Sequence, residues 1–273
     1  MTDSIRTSYI MNSARSREIL EKALVQLHSL KRENEEVIVV YAGDDDISAL
    51  RDSDSGVDVW ILEKDKGEAH GLNKGLMAAR GTVLKALNDE DVFYPWVYHE
   101  AIDLCLETSA QIVFVRGKTF DDHGREWEHP ARMEDILNFR STCGLAVCFR
   151  RSLLAEVGLF DLNYVYVDID FICRLVRSGA EIRSIDKLGF VRHRNSNSNA
   201  VRRADRANTE RKQMVLNYSG LHFGDGRASV ELIAGIQRHP DFAKWLGAYI
   251  EQGLLHYHEY VKEESSDALS DPS

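Results

Sequence analysis

The sequence predicts an α/β fold in which a mostly parallel central sheet is flanked by helices and followed by a C-terminal α-helical extension. Apolar runs of strand length alternate with segments of helical period as far as residue 204, and only helical patterns follow. Three predicted strands are followed directly by polar or acidic residues, namely Asn12, Asp44–Asp46 and Asn88–Asp91. In open α/β sheets, ligands bind at this carboxyl edge of the strands.

The first elements follow the order strand, helix, strand, strand. Residues 5–11 predict a first strand, and Ser13 is a candidate N-cap for a helix in which leucines recur at helical spacing. Residues 35–46, "EEVIVVYAGDDD", contain a continuous Val/Ile run, which indicates a fully buried second strand. Residues 57–64, "VDVWILEK", predict the third strand.

The next elements continue the alternation. Residues 71–81, "GLNKGLMAARG", predict a helix closed by Gly81, and residues 82–88, "TVLKALN", predict the fourth strand. Helices are predicted over 98–108 and 168–178, and strands over 111–120 and 142–150. We therefore expect an α/β domain over residues 1–204, a helical extension over 205–263 and a disordered polar tail over 264–273.

Composition limits the function and the location of the chain. The 273 residues carry a formal net charge of -10, and the concentrated basic stretch is residues 192–211, so we expect no nucleic-acid partner. The four cysteines form no C-x-x-C pair and lie in apolar contexts, as reduced cysteines of a cytosolic protein do. The N-terminus lacks an apolar signal core, and no run reaches the ~20 apolar residues that span a bilayer. We expect a cytoplasmic protein, with peripheral association at the inner face of a membrane left open.

Carboxylates are concentrated at the end of the fourth strand. In "LKALNDEDVFYP", residues 84–95, three adjacent acids follow a buried strand, where unpaired charge is costly. Asp89 and Asp91 can point the same way in an extended loop, and Mg²⁺ or Mn²⁺ between them would leave positions open for phosphate oxygens. The triplet Asp44–Asp46 is explained equally well by a solvated turn with a helix N-cap.

Three blocks of the sequence together resemble the inverting glycosyltransferases of family 2, which have the GT-A fold and use sugar-nucleotide donors. Residues 65–95 contain "DKG", then "NKG" at a helix, a strand, and an acidic D-x-D before a proline. Residues 143–179 contain "FRR", "VGLFD" and an acidic residue that leads a helix, and residues 191–200 contain a His followed by Ser-x-Ser. The resemblance covers about residues 4–200 in the same order.

The resemblance implies catalytic and metal-binding roles. Asp91 would bind the Mn²⁺ or Mg²⁺ that bridges the donor diphosphate, Asp89 would lie near the ribose or the metal, and His193 would complete the metal shell or contact the diphosphate. Asp168 would be the general base that removes a proton from the acceptor hydroxyl. Asp170 stays a rival base, because the dyad reads Val167-Asp168 rather than Glu-Asp.

The resemblance also implies a donor site, formed by Tyr9, Met11, Asn12, Tyr41, Gly43, Asp44, Gly67, His70, Asn73, Lys74 and Asn88. Departures from the family pattern leave the nucleobase open. Of the family's Pro-x-Tyr-Asn segment after the first strand, only the Asn is present. The Asp that reads the nucleobase is missing after the second strand, and His70 stands where an Asp is frequent.

The predicted function is a metal-dependent inverting glycosyltransferase of the hexosyltransferase type. Its donor is a nucleotide-diphosphate sugar, and its acceptor is a glycan or lipid-linked saccharide of surface polysaccharide biosynthesis. The C-terminal helices would form the acceptor side or a homodimer contact. A nucleotidyltransferase is disfavoured, because "YIMNSARSRE" lacks the glycine-rich loop that grips a triphosphate. A non-catalytic relative that binds a nucleotide sugar remains an alternative.

Overall fold

The computed structural model describes residues 5–53, 55–137, 141, 143–194, 202–203, 205–206 and 210. All of them lie in the first of the two units into which the chain divides, Met1–Arg211. The predicted helical extension over 205–263, apart from three residues, and the predicted tail over 264–273 lie outside the described residues. None of the helices in the described part of the chain is long and apolar enough to cross a membrane.

The N-terminal half forms four parallel strands in the order β3-β2-β1-β4. Its elements are β1 (Thr7–Ser13), α1 (Arg17–Leu30), β2 (Glu35–Tyr41), α2 (Ser48–Asp52), β3 (Val59–Leu62), α3 (Glu68–Ala78) and β4 (Val83–Leu87). Every residue of β2 is buried, as its unbroken apolar run predicts. The predicted parallel arrangement of these four strands is confirmed.

Two predicted helix ends in this half are wrong. Ser13 does not cap α1, because its carbonyl accepts a hydrogen bond from the Ala42 amide and so extends the sheet; the N-cap is Ser16. The second error concerns α3, which ends at Ala78, three residues before the predicted Gly81. A Cβ at Gly81 would lie 2.4 Å from the Ser8 amide nitrogen, so this glycine permits a close backbone approach rather than ending the helix.

The second half adds antiparallel pairs to the sheet. Its elements are β5 (Val92–Phe93), α4 (Pro95–Glu107), β6 (Ile112–Asp121), β7 (Glu126–His129), α5 (Met133–Leu137), β8 (Val147–Arg150), α6 (Leu154–Val157), α7 (Val167–Arg177) and β9 (Ile182–Arg194). Strand β8 pairs antiparallel with both β4 and β6, and β9 runs parallel to β6. The order in the described residues is therefore β3-β2-β1-β4-β8-β6-β9-β5, with β7 beside β6.

The strand predicted over 142–150 is shorter in the structure. Gly144–Ala146 form a 3₁₀ turn, and the strand begins at Val147. This turn lies between β4 and α7, where the main chain is held by hydrogen bonds from buried side chains rather than by a neighbouring strand. The hydrophobic periodicity of a sequence does not predict such hydrogen bonds between side chains and a distant main-chain segment.

Close packing of α3 against the sheet explains a second motif glycine. A Cβ at Gly75 would lie 2.3 Å from the Ile10 side chain, so only glycine allows α3 to approach β1 this closely. The buried side chains of α1, α3 and α4 pack on the two faces of the sheet. This packing places the carboxyl ends of β1 and β4 at the floor of one cavity.

Candidate active site

A cavity of about 590 Å³ lies at the carboxyl ends of β1 and β4. Its walls come from the β4–β5 connection, the start of α3, the turn before β8, the start of α7 and the last residues of β9. Among the residues that line it are Asn12, Arg15, Asp65, Gly67, Asn88, Asp89, Glu90, Asp91, Thr119, Trp127, Glu128, His129, Cys143, Gly144, Asp168, Arg192, His193 and Arg194.

Asp91 is the most buried carboxylate of this cavity, with 3% of its surface exposed. Asn88 Nδ2 donates a hydrogen bond of 2.9 Å to Asp91 Oδ2, and the main-chain N–H of His193 also donates to this carboxylate. Burial raises the pKa of Asp91 to about 6, against the opposing effect of the Arg192 charge. Burial therefore opposes ionisation of this carboxylate, and a bound cation would favour it.

Three side-chain oxygens that line the cavity region are buried and have no hydrogen-bond partner among the described residues: Asn12 Oδ1, Asp65 Oδ2 and Asp89 Oδ2. Burial raises the pKa of Asp89, although the Ser13 hydroxyl donates to its carboxylate. Buried polar atoms are normally hydrogen-bonded, so orphaned oxygens suit a cation that takes oxygen ligands.

The oxygens fit a metal that also takes ligands from a substrate. In the described part of the chain, no group of three or more His, Cys, Asp or Glu side chains is arranged to hold a metal ion. Mg²⁺ and Mn²⁺ are commonly held by one or two carboxylates, with phosphate oxygens and water completing the shell. The residues at the β4–β5 connection therefore fit a divalent cation of this kind.

Asp168 and Asp170 occupy different environments in the first turn of α7. Asp168 faces the cavity, and its two oxygens accept hydrogen bonds from the main-chain N–H groups of Gly144 (3.2 Å) and Ile169 (3.0 Å). Asp170 does not line the cavity; its Oδ2 accepts from Nε (2.9 Å) and Nη2 (2.7 Å) of Arg174. The carboxylate available to a substrate is therefore that of Asp168.

The imidazole of His193 contacts Phe120 and Asp122. In the parallel pairing of β6 and β9, Phe120 lies opposite His193, and their rings stack with centroids 4.9 Å apart. His193 Nε2 lies 2.9 Å from Asp122 Oδ1 on the same face of the sheet. Arg192, one residue earlier, lies on the opposite face of the strand, and both Arg192 and His193 line the cavity.

The predicted donor residues fall into separate groups in the structure. Asn12, Gly67, Asn88 and Asp89 line the cavity. Tyr9 and Met11 are fully buried and do not line it, and the Tyr9 hydroxyl donates to Glu35 at 3.2 Å.

The segment after β2 lines a second cavity of about 300 Å³, which Tyr41 and Gly43 border. Asp44 pairs with Lys64 at this edge, and 93% of its side chain is exposed.

Three polar residues of α3, namely His70, Asn73 and Lys74, contact neighbouring loops and do not line the cavity. Asn73 exchanges two hydrogen bonds of 2.9 Å with the main chain of Phe160. His70 Nδ1 accepts from the Lys66 amide at 3.0 Å. Lys74 donates to the Lys64 carbonyl at 3.0 Å and pairs with a glutamate of the same loop. Through these hydrogen bonds, α3 connects the loop that precedes it with the loop around Phe160.

Sequence reasoning missed several cavity residues, among them Arg15, Trp127, Cys143, Gly144 and Arg192. Arg15 pairs with Glu90 at 2.9 Å. It thereby brings a guanidinium to the acidic wall of the cavity, which is the β4–β5 connection Asn88–Asp91. The pairing of β7 with β6, and of β6 with β9, places Trp127 and Arg192 at the cavity. The alternation of side chains along "FVRHR" is the signal that would have separated Arg192 from His193.

Comparisons with known proteins agree with this geometry. The family model described as glycosyl transferase family 2 matches residues 8–180. No curated protein sequence matches the chain at a significant level.

Solved structures with similar folds include the following two. One is a mannosyltransferase from Pyrobaculum calidifontis in complex with GDP-mannose and Mn²⁺, with a TM-score of 0.61, 18% identity, and coverage of 99% of this chain and 82% of that one. The other is S. aureus TarS 1–349 in complex with UDP-GlcNAc, with a TM-score of 0.63, 14% identity, and coverage of 90% and 73%. At these identities the similarity shows a shared fold.

Proposed function

The chain belongs to glycosyl transferase family 2 and is a glycosyltransferase, and we propose that it is a metal-dependent enzyme that transfers a hexose with inversion. The donor is a nucleotide-diphosphate sugar. The acceptor is a glycan or lipid-linked saccharide of surface polysaccharide biosynthesis, and the reaction takes place in the cytoplasm. The observation that carries this proposal is the placement of Asp168 and the acidic β4–β5 connection on one cavity.

Asp168 is the general base in this proposal. Its carboxylate removes the proton from the acceptor hydroxyl while that oxygen attacks the anomeric carbon of the donor. The bond from the anomeric carbon to the diphosphate oxygen breaks in the same displacement, so the configuration inverts and a nucleoside diphosphate leaves. The main-chain N–H groups of Gly144 and Ile169 donate to its two oxygens and hold the carboxylate in position.

Asp91 and Asp89 would hold the divalent cation, together with the amide oxygen of Asn12. When bound, Mn²⁺ or Mg²⁺ neutralises the charge that develops on the departing diphosphate. Gly71 supports this arrangement, because a Cβ there would lie 1.9 Å from Asn12 Oδ1. The Arg192 guanidinium lines the same cavity and complements the phosphate charge, and His193, which also lines it, would complete the metal shell or contact the diphosphate.

The test separates donor binding from chemistry. We expect a thermal shift with GDP or UDP and Mn²⁺ that chelator removes, because ligand binding to the folded state raises its apparent stability. Asp168→Asn should retain this shift and lose transfer, whereas Asp186→Asn, which changes an exposed carboxylate on β9, should retain both. Full transfer by Asp168→Asn would refute the base assignment. Nucleotide binding by the wild type without turnover of any donor would instead favour the non-catalytic alternative.

A further inference from the structure

Four side chains form one row across four adjacent strands. Val92 of β5 lies opposite Val191 of β9, so the next residues along, Asp91 and Arg192, are also opposite each other. Arg192 pairs with Thr119 of β6, and Thr119 pairs with Trp127 of β7. Cross-strand neighbours project from the same face of a sheet, and all four row residues line the cavity.

Trp127 stands at the far end of this row from Asp91. Neighbouring strands are about 4.8 Å apart, so three strand spacings put Trp127 roughly 14 Å from Asp91 along the sheet. The indole is therefore too distant to contact a cation held by Asp91. Between the two, Arg192 experiences the charges of both Asp91 and Asp168, which raise its pKa, although its burial opposes them. The row thus runs from the proposed phosphate site, past the neighbourhood of the proposed base, to an aromatic ring.

Trp127 lies outside the hydrophobic core. Along β7, Glu126 and Glu128 are exposed and Trp127 and His129 are half-buried, and Trp127, Glu128 and His129 line the cavity. Trp127 is not among the residues that form or pack against the core. The Arg194 guanidinium carbon lies over its ring, 5.9 Å from the ring centroid, which is within the range of a cation–π contact. The Trp127 ring therefore borders the cavity beside a guanidinium that also lines it.

Polar groups that suit a saccharide surround the ring. His129 Nε2 lies 2.7 Å from Thr119 Oγ1, and Arg192 adds a donor in the same row. Saccharides present hydroxyl groups at their edges and a C–H surface on a ring face. An aromatic side chain buries such a C–H surface, while neighbouring polar groups bind the hydroxyls.

We propose that Trp127 is the platform for the acceptor, on which a pyranose ring of the acceptor saccharide packs with its nucleophilic hydroxyl turned toward Asp168. This inference rests on the proposed function, which supplies the donor and the base. It adds the chemical class of the acceptor unit bound next to the reacting centre: a pyranose with one exposed C–H face. The acidic wall at Asp91 then serves the donor, and the β6–β7 hairpin serves the acceptor.

The test uses Trp127→Phe and Trp127→Ala, with Trp96→Phe and Trp96→Ala as matched controls, since Trp96 is 63% exposed and does not line the cavity. The probes are the methyl α- and β-glycosides of glucose, galactose, mannose and N-acetylglucosamine. Intrinsic tryptophan fluorescence follows their binding, and release of nucleoside diphosphate from GDP-mannose and UDP-GlcNAc follows the reaction with and without each probe. We expect at least one probe to quench the wild type and Trp96→Phe but not Trp127→Phe.

The kinetic expectation is specific to the acceptor. Trp127→Ala should raise the acceptor KM by about tenfold, the loss expected for one aromatic contact. The KM for the donor and its slow hydrolysis without acceptor should stay within about twofold of the wild type. Trp96→Ala should change none of these values.

The outcomes separate the two proposals. Donor turnover together with an unchanged acceptor KM in Trp127→Ala, or with no probe giving a Trp127-dependent response, overturns the platform and leaves the glycosyltransferase. Absence of turnover with any donor, together with a Trp127-dependent saccharide response, defeats the proposed reaction and supports the platform. Absence of both turnover and response overturns both proposals.

Discussion

Lys85 is a fully buried lysine in the middle of β4, next to the candidate active site. Its Nζ donates hydrogen bonds to the carbonyls of Leu145 (2.5 Å) and Val147 (3.3 Å) and lies 4.5 Å from the centroid of the Tyr98 ring. Burial lowers the pKa of Lys85 from 10.5 to about 8. The folded protein therefore binds this proton less tightly than the unfolded chain does.

The sign and size of the effect on stability follow from this difference. The unfolded chain holds more protons between pH 8 and 10.5, so the stability contribution of Lys85 rises with pH in that window and is lowest below it. For these two pKa values the charged lysine costs about 3 kcal/mol at pH 7 and about 1 kcal/mol at pH 9.5. We therefore expect the contribution of Lys85 to improve by about 2 kcal/mol over this interval.

The Lys85→Met variant isolates this contribution, because it removes the titrating group and keeps the apolar stem. Urea unfolding of both proteins at pH 7, 8, 9 and 9.5 gives the difference in unfolding free energy at each pH. The wild type should gain about 2 kcal/mol relative to Lys85→Met between the end points. Lys187→Met, at a half-exposed lysine that pairs with Glu100, should show a flat difference. A difference that stays constant to within about 0.5 kcal/mol for Lys85→Met would refute the reasoning.

The same substitution has an expected effect on catalysis. Lys85 holds the 3₁₀ turn Gly144–Ala146, and the Gly144 amide donates to Asp168. Tyr98 also donates to the Leu145 carbonyl, at 2.8 Å, so the turn keeps one of its supports in the variant. We expect Lys85→Met to lower kcat and leave nucleotide binding unchanged, since displacement of a general base impairs chemistry rather than donor affinity.

Three further predictions concern the acidic wall and its supports. Asp91→Ala should abolish the metal-dependent thermal shift with nucleoside diphosphates, and a retained shift would remove Asp91 from the metal site. Gly71→Ala should weaken nucleotide binding in isothermal titration, because its Cβ would lie 1.9 Å from Asn12 Oδ1; wild-type affinity would contradict that role for Asn12. Asp170→Asn should lower the free energy of unfolding by about 3 kcal/mol in urea, because it breaks the buried ion pair with Arg174. An unchanged unfolding midpoint would show that this pair is not stabilising.

The sequence predicted the first half of the fold well because its signals are local. The Val/Ile run of β2 and the leucine spacing of α1 report burial directly, and both elements are present. The acids after β4 were predicted to lie at a ligand-binding edge, because parallel strands bring their carboxyl ends together. In the structure Asn12, Asp89 and Asp91 do line one cavity.

The site residues from the second half of the chain are positioned by strand pairing, which local sequence patterns do not predict. The antiparallel insertion of β8 between β4 and β6 decides that Gly144 faces Asp168. The register of β9 against β6 decides that Arg192 lies beside Thr119 and that the His193 ring stacks on Phe120. A shift by one residue reverses the face on which every side chain of a strand lies.

The amino-acid sequence by itself determined the fold class, the family and the acidic connection after β4, because hydrophobic period and motif spacing are properties of neighbouring residues. Only the tertiary structure shows that Asp168 lines the cavity while Asp170 is engaged by Arg174. It also brought Trp127 to the cavity, through the pairing of β6 and β7. These outcomes depend on contacts between residues distant in the chain, and the hydrogen bonds of the folded sheet set those contacts.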